Sequence, residues 1–260
     1  MKLSIIIPAR NEEKCIEQTV SAIVQEMSLA GIDFEVLIVN DGSQDRTEET
    51  LKGLADRYVE VRYINNVQPH GFGLAIRKGL DDYQGDAVAI VMADGSDSPK
   101  DIVQYYRKLE EGYECVFGSR FIKGSSVVDY PIHKFVLNRL ANHFIRILFG
   151  LRHNDITNAF KCYRRPVIDG LRPLLANHFN LTVELPLKAI IRGYSYATVP
   201  IAWTNRVEGI SKLKIKEMGS RYLFIVLYLF LEKNLSQGDY RRVDNNVIAS
   251  LPAGRQAPRH

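Results

Sequence analysis

Five short runs of nearly continuous apolar residues occupy the first half of the chain. They span residues 3–9, 34–40, 61–65, 87–93 and 115–121. Between them lie stretches in which apolar residues recur at three- and four-residue spacing, as on one face of a helix. Strands that read as continuous apolar runs are typical of a parallel sheet covered by helices on both faces. The pattern therefore predicts an α/β fold made of βα units around a mainly parallel sheet.

The pattern changes after residue 122. Residues 133–151 predict a long amphipathic helix. Residues 222–231, "YLFIVLYLFL", are ten consecutive apolar positions, too few to cross a bilayer. This run is consistent either with a buried helix or with an interfacial helix whose flanking basic residues face anionic headgroups. We expect a main domain over 1–217, the apolar helix over 218–234 and a disordered tail over 235–260.

Composition narrows the classes of protein. A chain of 260 residues with 46% hydrophobic residues can bury a substantial core. The net charge is +4, and the basic residues gather late in the chain, which favours a phosphate-bearing partner or an anionic membrane surface. Three cysteines without metal-like spacing argue against a disulfide framework or a zinc site. The first residues lack the features of a secretory signal, so we expect the cytoplasm as the compartment.

Acidic turns follow three of the predicted strands, in "PARNEE", "NDGSQD" and "ADGSDS". The carboxyl ends of parallel strands meet at one edge of a sheet, where ligands bind. Asp94 and Asp97, three positions apart, would hold Mg²⁺ or Mn²⁺ against a diphosphate. Asp97 also fits the cap of a helix that begins near Pro99, and a residue can serve in both ways.

Several motifs occur in a specific order over residues 3–217: "IIIPARNEE", "IVNDGSQDRT", "HGFGLAIRKGL", "MADGSDSP", "FGSRFIKG", "NDITNAFKCYRR" and "NRVEGISKLK". Their order and spacing resemble the family 2 glycosyltransferases of the GT-A fold. Within that family they are most similar to the polyprenyl-phosphate sugar transferases typified by dolichol-phosphate mannose synthase.

The resemblance implies roles for individual residues. The nucleotide sugar would be bound by Pro8, Arg10, Glu12, Val39, Asp41 and Asp94, with Arg206 and Lys212 closing over its diphosphate. The acceptor's phosphate would be bound by Arg120, Lys134, Asn138 and Arg139. Taken singly, each of these basic residues fits a solvated surface better than a binding site, and the family pattern reverses this preference for Arg120, Arg206 and Lys212. Asp155 is an acidic candidate near the acceptor, or a structural turn residue. The catalytic candidates are Asp94, Asp97, Arg120 and Asp155.

The chain departs from the family pattern at three places. Arg10 stands where an aromatic residue is usual, and Asn40 replaces a common Asp. The two acids of the usual Asp-X-Asp motif align with Ala93 and Gly95, so "DGSD" is interpreted as a displaced metal site formed by Asp94 and Asp97.

The function expected from the resemblance is metal-dependent, inverting transfer of a sugar from a nucleoside diphosphate to a polyprenyl phosphate, either dolichyl or undecaprenyl. The protein would act at the cytoplasmic face of a membrane, peripherally or through a membrane-anchoring partner, without nucleic acid. A phosphate acceptor is already largely anionic at neutral pH and needs no strong base. Two alternatives remain open: a soluble glycosyltransferase with a hydroxyl acceptor, and a catalytically silent sugar-nucleotide-binding protein.

Overall fold

The computed structural model describes residues 1–205 and 215–242. Its strands are β1 Leu3–Ala9, β2 Phe34–Asn40, β3 Val61–Asn65, β4 Ala87–Ile90, β5 Cys115–Ser119, β6 Ser126–Val128, β7 Lys161–Arg164, β8 Tyr196–Pro200 and β9 Ala202–Thr204. Its helices are α1 Ile16–Leu29, α2 Thr47–Arg57, α3 Phe72–Asp82, α4 Pro99–Glu110, α5 Ile132–Phe149, α6 Arg165–Gly170, α7 Leu181–Ile191 and α8 Ile215–Leu235.

Seven strands form one sheet in the order β3-β2-β1-β4-β7-β5-β8. Strand β7 runs antiparallel to both of its neighbours, and the other pairs in this sheet are parallel. The predicted α/β fold with a mainly parallel sheet is confirmed. The chain leaves β1 for β2 on one side and later returns to β4 on the other, which opens a crevice at the carboxyl ends of these strands.

Apolar side chains fill the space on both faces of the sheet. Leu3, Ile5 and Ile7 of β1 pack on the face covered by α1, α2 and α4, whereas Ile6 packs on the face covered by α3 and α7. Successive side chains of a strand point to opposite faces. Burial on both faces explains why the strands appear in the sequence as unbroken apolar runs.

Two strands end earlier than their apolar runs. Strand β4 ends at Ile90, although the run continues to residue 93. After Val91, whose N–H still donates to Ile6, the N–H of Met92 donates to the Asp97 carboxylate. Strand β5 ends at Ser119. A side-chain acceptor thus replaces the neighbouring strand at the end of β4, and this substitution is invisible in the pattern of apolar residues.

Helix α8 packs on the body of the protein through one face only. Ile225, Val226 and Leu229 are buried, and Arg192 of the α7 C-terminus forms a buried ion pair with Glu232 at 2.9 Å. The opposite face leaves apolar side chains exposed: Leu223, Phe224, Leu227 and Leu231. One face of residues 222–231 is therefore buried, and a membrane-interfacial role for the exposed face stays a prediction.

Part of the expected C-terminal tail lies outside the described residues, namely 243–260. Residues 236–242 are described, and the main-chain N–H of Arg242 donates to the carbonyl of Arg192. Across the described ranges, no helix combines the length and the apolar character that a membrane span requires.

The ion pair between Arg192 and Glu232 is expected to anchor α8. The substitution Glu232→Ala leaves the Arg192 guanidinium buried without the carboxylate of its ion pair. This should lower the free energy of unfolding by about 3–5 kcal/mol. Denaturant unfolding measures this loss. Glu110→Ala is the control, because Glu110 forms an exposed ion pair with Arg107, and exposed pairs contribute at most about 1 kcal/mol. Equal losses in the two variants would contradict the anchoring role.

Candidate functional site

A cavity of about 700 Å³ opens at the carboxyl ends of β1, β2, β4 and β5. Most of the residues singled out in the sequence line it: Pro8, Arg10, Glu12, Asp41, Asp94, Asp97, Arg120, Lys134 and Asn138. Val39, Arg139 and Asp155 do not line it. Arg206 and Lys212 lie outside the described residues. The fold therefore gathers residues separated by up to 130 positions into one site.

Asp41 organises the end of the cavity nearest β1 and β2. Its carboxylate accepts hydrogen bonds from the N–H of Gly71 at 2.9 Å and from Asn66 Nδ2 at 2.7 Å, and it lies 3.3 Å from His70 Nδ1. Arg10 lies 4.0 Å from the same carboxylate. These contacts fix the loop before α3. Asp41 thus shapes the pocket in addition to lining it.

The same loop constrains Gly42. Its φ of +68° lies in the left-handed region, and a Cβ at this position would come within 2.5 Å of the His70 ring. Only glycine satisfies both the backbone conformation and the close approach. The turn "NDGS" is therefore required to bring His70 to the wall of the cavity.

Asp94 and Asp97 face the cavity from the turn after β4. Asp94 Oδ1 accepts a hydrogen bond from the N–H of Ser96, and Asp97 Oδ2 accepts one from the N–H of Met92. The residue at the N-cap of α4 is Ser98. The interpretation of Asp97 as the cap of this helix is therefore wrong.

The electrostatics of this turn favour a cation. Burial raises the pKa of Asp97 to about 7, and the Asp94 carboxylate adds to the rise, while the N–H of Met92 opposes it. A divalent cation would stabilise both carboxylates in their charged form. Within residues 1–205 and 215–242, no third His, Cys, Asp or Glu completes a metal-ligating group. The two acids fit a cation whose remaining ligands come from a bound diphosphate and water.

Arg120 lines the cavity from the end of β5 and is held by a buried ion pair. Its Nε and Nη2 donate to the two carboxylate oxygens of Asp155 at 2.9 and 2.8 Å, and its backbone N–H donates to the same carboxylate. Burial alone would raise the pKa of Asp155, but Arg120 more than offsets this and holds the pKa below its usual range. Asp155 therefore contacts Arg120 and not the cavity.

Aromatic rings surround the guanidinium of Arg120. The rings of Phe121, Tyr130 and Trp203 have their centroids 5.3, 5.6 and 5.9 Å from its central carbon. Rings at this distance favour a cation and exclude water. The orientation of Arg120 is thus fixed both by Asp155 and by packing.

Helix α5 contributes the rest of this wall. Lys134 and Asn138 line the cavity, and Asn138 Nδ2 donates to Thr157 Oγ1 at 2.8 Å. Arg139 turns away: it donates to the carbonyl of Asn154, and its guanidinium lies 4.4 Å from the centroid of the Phe121 ring. Three of the four residues expected to bind the acceptor's phosphate therefore lie in the cavity.

Sequence reasoning missed an aromatic and basic part of the lining. The additional residues are His70, Phe72, Tyr130, His178, Phe179, Trp203, Arg221 and Tyr222. The Phe72 and Phe179 rings stack with their centroids 4.1 Å apart, although the residues lie far apart in the chain. The nearest signal was the position of Phe72 between two glycines. No local pattern indicated its partner.

Comparisons with known proteins agree with this architecture. The model of glycosyl transferase family 2 matches residues 4–172. Polyprenol monophosphomannose synthase from Mycolicibacterium smegmatis is 31% identical, over 80% of this chain and 80% of its own length. Dolichol-phosphate mannosyltransferase from Pyrococcus furiosus is 29% identical over 83% of this chain, which spans only 60% of that relative.

A solved structure has the same fold. The crystal structure of glucosyl-3-phosphoglycerate synthase from Mycobacterium tuberculosis, in complex with Mn²⁺, uridine diphosphate and phosphoglyceric acid, superposes with a TM-score of 0.65. The identity is 20%, and the match covers 89% of this chain and 78% of that one. The extent of the family match and the identity to the mycobacterial relative establish that this chain belongs to glycosyl transferase family 2.

Proposed function

We propose that this glycosyltransferase moves a sugar from a nucleoside diphosphate to a polyprenyl phosphate, with inversion at the sugar's anomeric carbon. The observation that carries the proposal is that one cavity is lined both by two acids, Asp94 and Asp97 (the acidic side), and by two cations, Arg120 and Lys134 (the basic side). The acidic side suits a metal-bound diphosphate, and the basic side suits a second phosphate. The names of the mycobacterial and archaeal relatives support the same acceptor class.

On the donor side, Pro8, Arg10, Glu12 and Asp41 surround the space for the nucleoside. Asp94 and Asp97 would hold Mg²⁺ or Mn²⁺, which supplies neutralisation of the charge that develops on the departing nucleoside diphosphate. Val39 is fully buried beneath this region and supports the pocket from below. Arg206 and Lys212 remain proposed contacts of the diphosphate.

On the acceptor side, Arg120, Lys134 and Asn138 orient the phosphate. Its oxygen carries negative charge at neutral pH, so it attacks without a general base. Asp155, whose carboxylate is bound to Arg120, is proposed to position that arginine rather than to accept a proton. Catalysis then rests on alignment and on charge stabilisation.

A lipid acceptor gives a role to the exposed apolar surface of α5 and α8. On α5 this surface comprises Ile132, Val136, Leu137, Leu140, Phe144 and Ile147. The helix carries Lys134, Arg139 and Arg146 and no acidic residue. An apolar face with positive charge fits the interface of an anionic membrane. We propose peripheral binding at the cytoplasmic face, directly or beside a membrane-anchoring partner.

The defining experiment is a transfer assay with radiolabelled nucleotide sugars and a polyprenyl phosphate in detergent or vesicles. The proposal expects label in an organic-extractable lipid, dependent on Mg²⁺ or Mn²⁺. Label transferred only to water-soluble hydroxyl acceptors would instead support a soluble glycosyltransferase. Nucleotide-sugar binding without any turnover would support a silent binding protein.

Removal of one acid tests the metal site. Asp97→Asn and Asp94→Asn should each lower kcat about 10²–10³-fold, the typical effect of removing one electrostatic stabiliser of a transition state. Calorimetry should also show that Mn²⁺ no longer increases nucleotide affinity. Asp129→Asn is the control, since Asp129 is exposed with a φ of +55° that Asn tolerates. If Mn²⁺ still increases nucleotide affinity in both Asp97→Asn and Asp94→Asn, this metal site is contradicted.

Vesicle flotation tests the membrane surface. The double variant Leu140→Glu and Phe144→Glu should reduce binding to anionic vesicles by about tenfold or more, since each exposed side chain buried in the interface contributes about 1.5–3 kcal/mol. The control is Leu29→Glu with Val59→Glu, because both residues are exposed apolar positions outside α5 and α8. If the two double variants bind the vesicles equally well, the proposed membrane-binding role of the α5 surface is contradicted.

A further inference from the structure

Lys161 is a buried cation behind the acceptor side of the cavity. It lies on β7 and is 1% exposed. All of its hydrogen bonds in the described structure go to main-chain carbonyl oxygens: those of Ile156 at 2.9 Å, Thr182 at 3.4 Å and Asn158. Lys161 therefore joins the segment before β7 to the first turn of α7.

The contact with Thr182 has a cause in the sequence. In a helix, the carbonyl of Thr182 would accept the N–H of the residue four positions later, but that residue is Pro186, which has no N–H. A buried carbonyl without a donor is costly. Lys161 supplies the missing donor, so the start of α7 depends on this side chain.

The other two carbonyls belong to Ile156 and Asn158, in the segment whose residues Thr157, Asn158 and Ala159 line the cavity. Across a planar trans peptide the carbonyl and the next N–H point in opposite directions. Lys161 draws the carbonyl of Asn158 away from the cavity, so the N–H of Ala159 points away from Lys161. The carbonyl of Ile156 is held in the same way while the N–H of Thr157 donates to Asn142 Oδ1.

We propose that Lys161 is a positioning residue for the acceptor's phosphate: it holds the carbonyl oxygens of residues 156 and 158 away from the cavity, so that the wall turns the N–H of Ala159, and not these oxygens, toward the anion. This inference rests on the proposed polyprenyl phosphate acceptor. Without Lys161, these carbonyl oxygens are free to face the cavity, where they repel a phosphate.

The charge of Lys161 acts in the same direction. Burial lowers the pKa of its ammonium group to about 7, Asp155 and Asp97 oppose this by raising it, and Arg120 adds to the lowering. A phosphate bound in the cavity would favour the charged form of Lys161, as the two carboxylates do. Protonation of Lys161 and binding of the phosphate therefore favour each other.

The test compares Lys161→Met and Lys161→Arg with Lys188→Met. Lys188 is the control, because it is also 1% exposed and donates to the carbonyls of Leu171 and Pro173, which do not line the cavity. Lys188 also forms a buried ion pair with Glu184, so its Met variant shows what the loss of a buried cation away from the cavity does to acceptor affinity. Farnesyl phosphate is the probe for binding, farnesol is its uncharged control, and steady-state kinetics give kcat and the two KM values.

Lys161→Met should weaken farnesyl phosphate binding and raise the acceptor KM by about tenfold or more, equivalent to about 1.4 kcal/mol. The kcat and the KM for the nucleotide sugar should change by less than about threefold, below 0.7 kcal/mol. Lys161→Arg should restore most of the acceptor affinity, whereas Lys188→Met should leave it unchanged. If Lys161→Met does not fold, Lys161→Gln replaces it: Gln has two N–H donors for the three carbonyls and no charge, so the acceptor KM should still rise.

The outcomes separate the two proposals. If the wild-type protein binds farnesyl phosphate no better than farnesol and forms no labelled lipid, the proposed function fails, whatever the variants do. If the wild-type protein does both, and the Lys161 variants match Lys188→Met in acceptor affinity, the role of Lys161 is overturned. A loss of kcat without a change in the acceptor KM also overturns it.

Discussion

The buried ion pair of Arg120 and Asp155 joins two parts of the chain where the cavity is built. Both residues are withdrawn from water, which is costly for charged groups unless geometry and hydrogen bonding compensate. Here two side-chain bonds and one backbone N–H satisfy the Asp155 carboxylate. The pair fixes the segment before β7 to the end of β5. The shape of the basic side of the cavity follows from that attachment.

The acidic side is built differently. The carboxylates of Asp94 and Asp97 accept hydrogen bonds from the nearby main-chain N–H groups of Ser96 and Met92, and burial leaves Asp97 with a raised pKa. In the proposed function a cation completes this side, whereas Arg120 on the basic side is already neutralised in part by Asp155. The cavity thus combines the carboxylates of Asp94 and Asp97, which a cation would neutralise, with Arg120, which Asp155 already holds in place. Such an arrangement suits two phosphate groups brought together.

The sequence predicted the fold where its signal was local. The first three strands have the bounds of their apolar runs, since burial on both faces determines them. The ends of β4 and β5 could not be predicted, because side-chain acceptors, Asp97 for the N–H of Met92 and Asp155 for the N–H of Arg120, replace a strand partner there. Among the site residues, Arg10, Asp41 and Arg120 followed motifs at strand ends. Arg139 was expected in the cavity, but the Phe121 ring and the carbonyl of Asn154 hold its guanidinium away.

The pairing of Phe72 with Phe179, and of Lys161 with the start of α7, depended on contacts between distant segments that no pattern along the chain encodes. Both pairs nevertheless have chemical reasons once the fold is known. The rings of Phe72 and Phe179 stack where the start of α3 meets the segment before α7. Lys161 donates the hydrogen bond to Thr182 that Pro186 cannot donate.

The missing amide hydrogen of Pro186 has an evolutionary consequence. Its absence makes the lysine at 161 useful to α7, so the two positions are under a shared constraint. A descendant that replaces the proline regains a donor for the carbonyl of Thr182, and its lysine then has one fewer reason to persist. Covariation between these two sites should therefore trace how this helix start has been maintained.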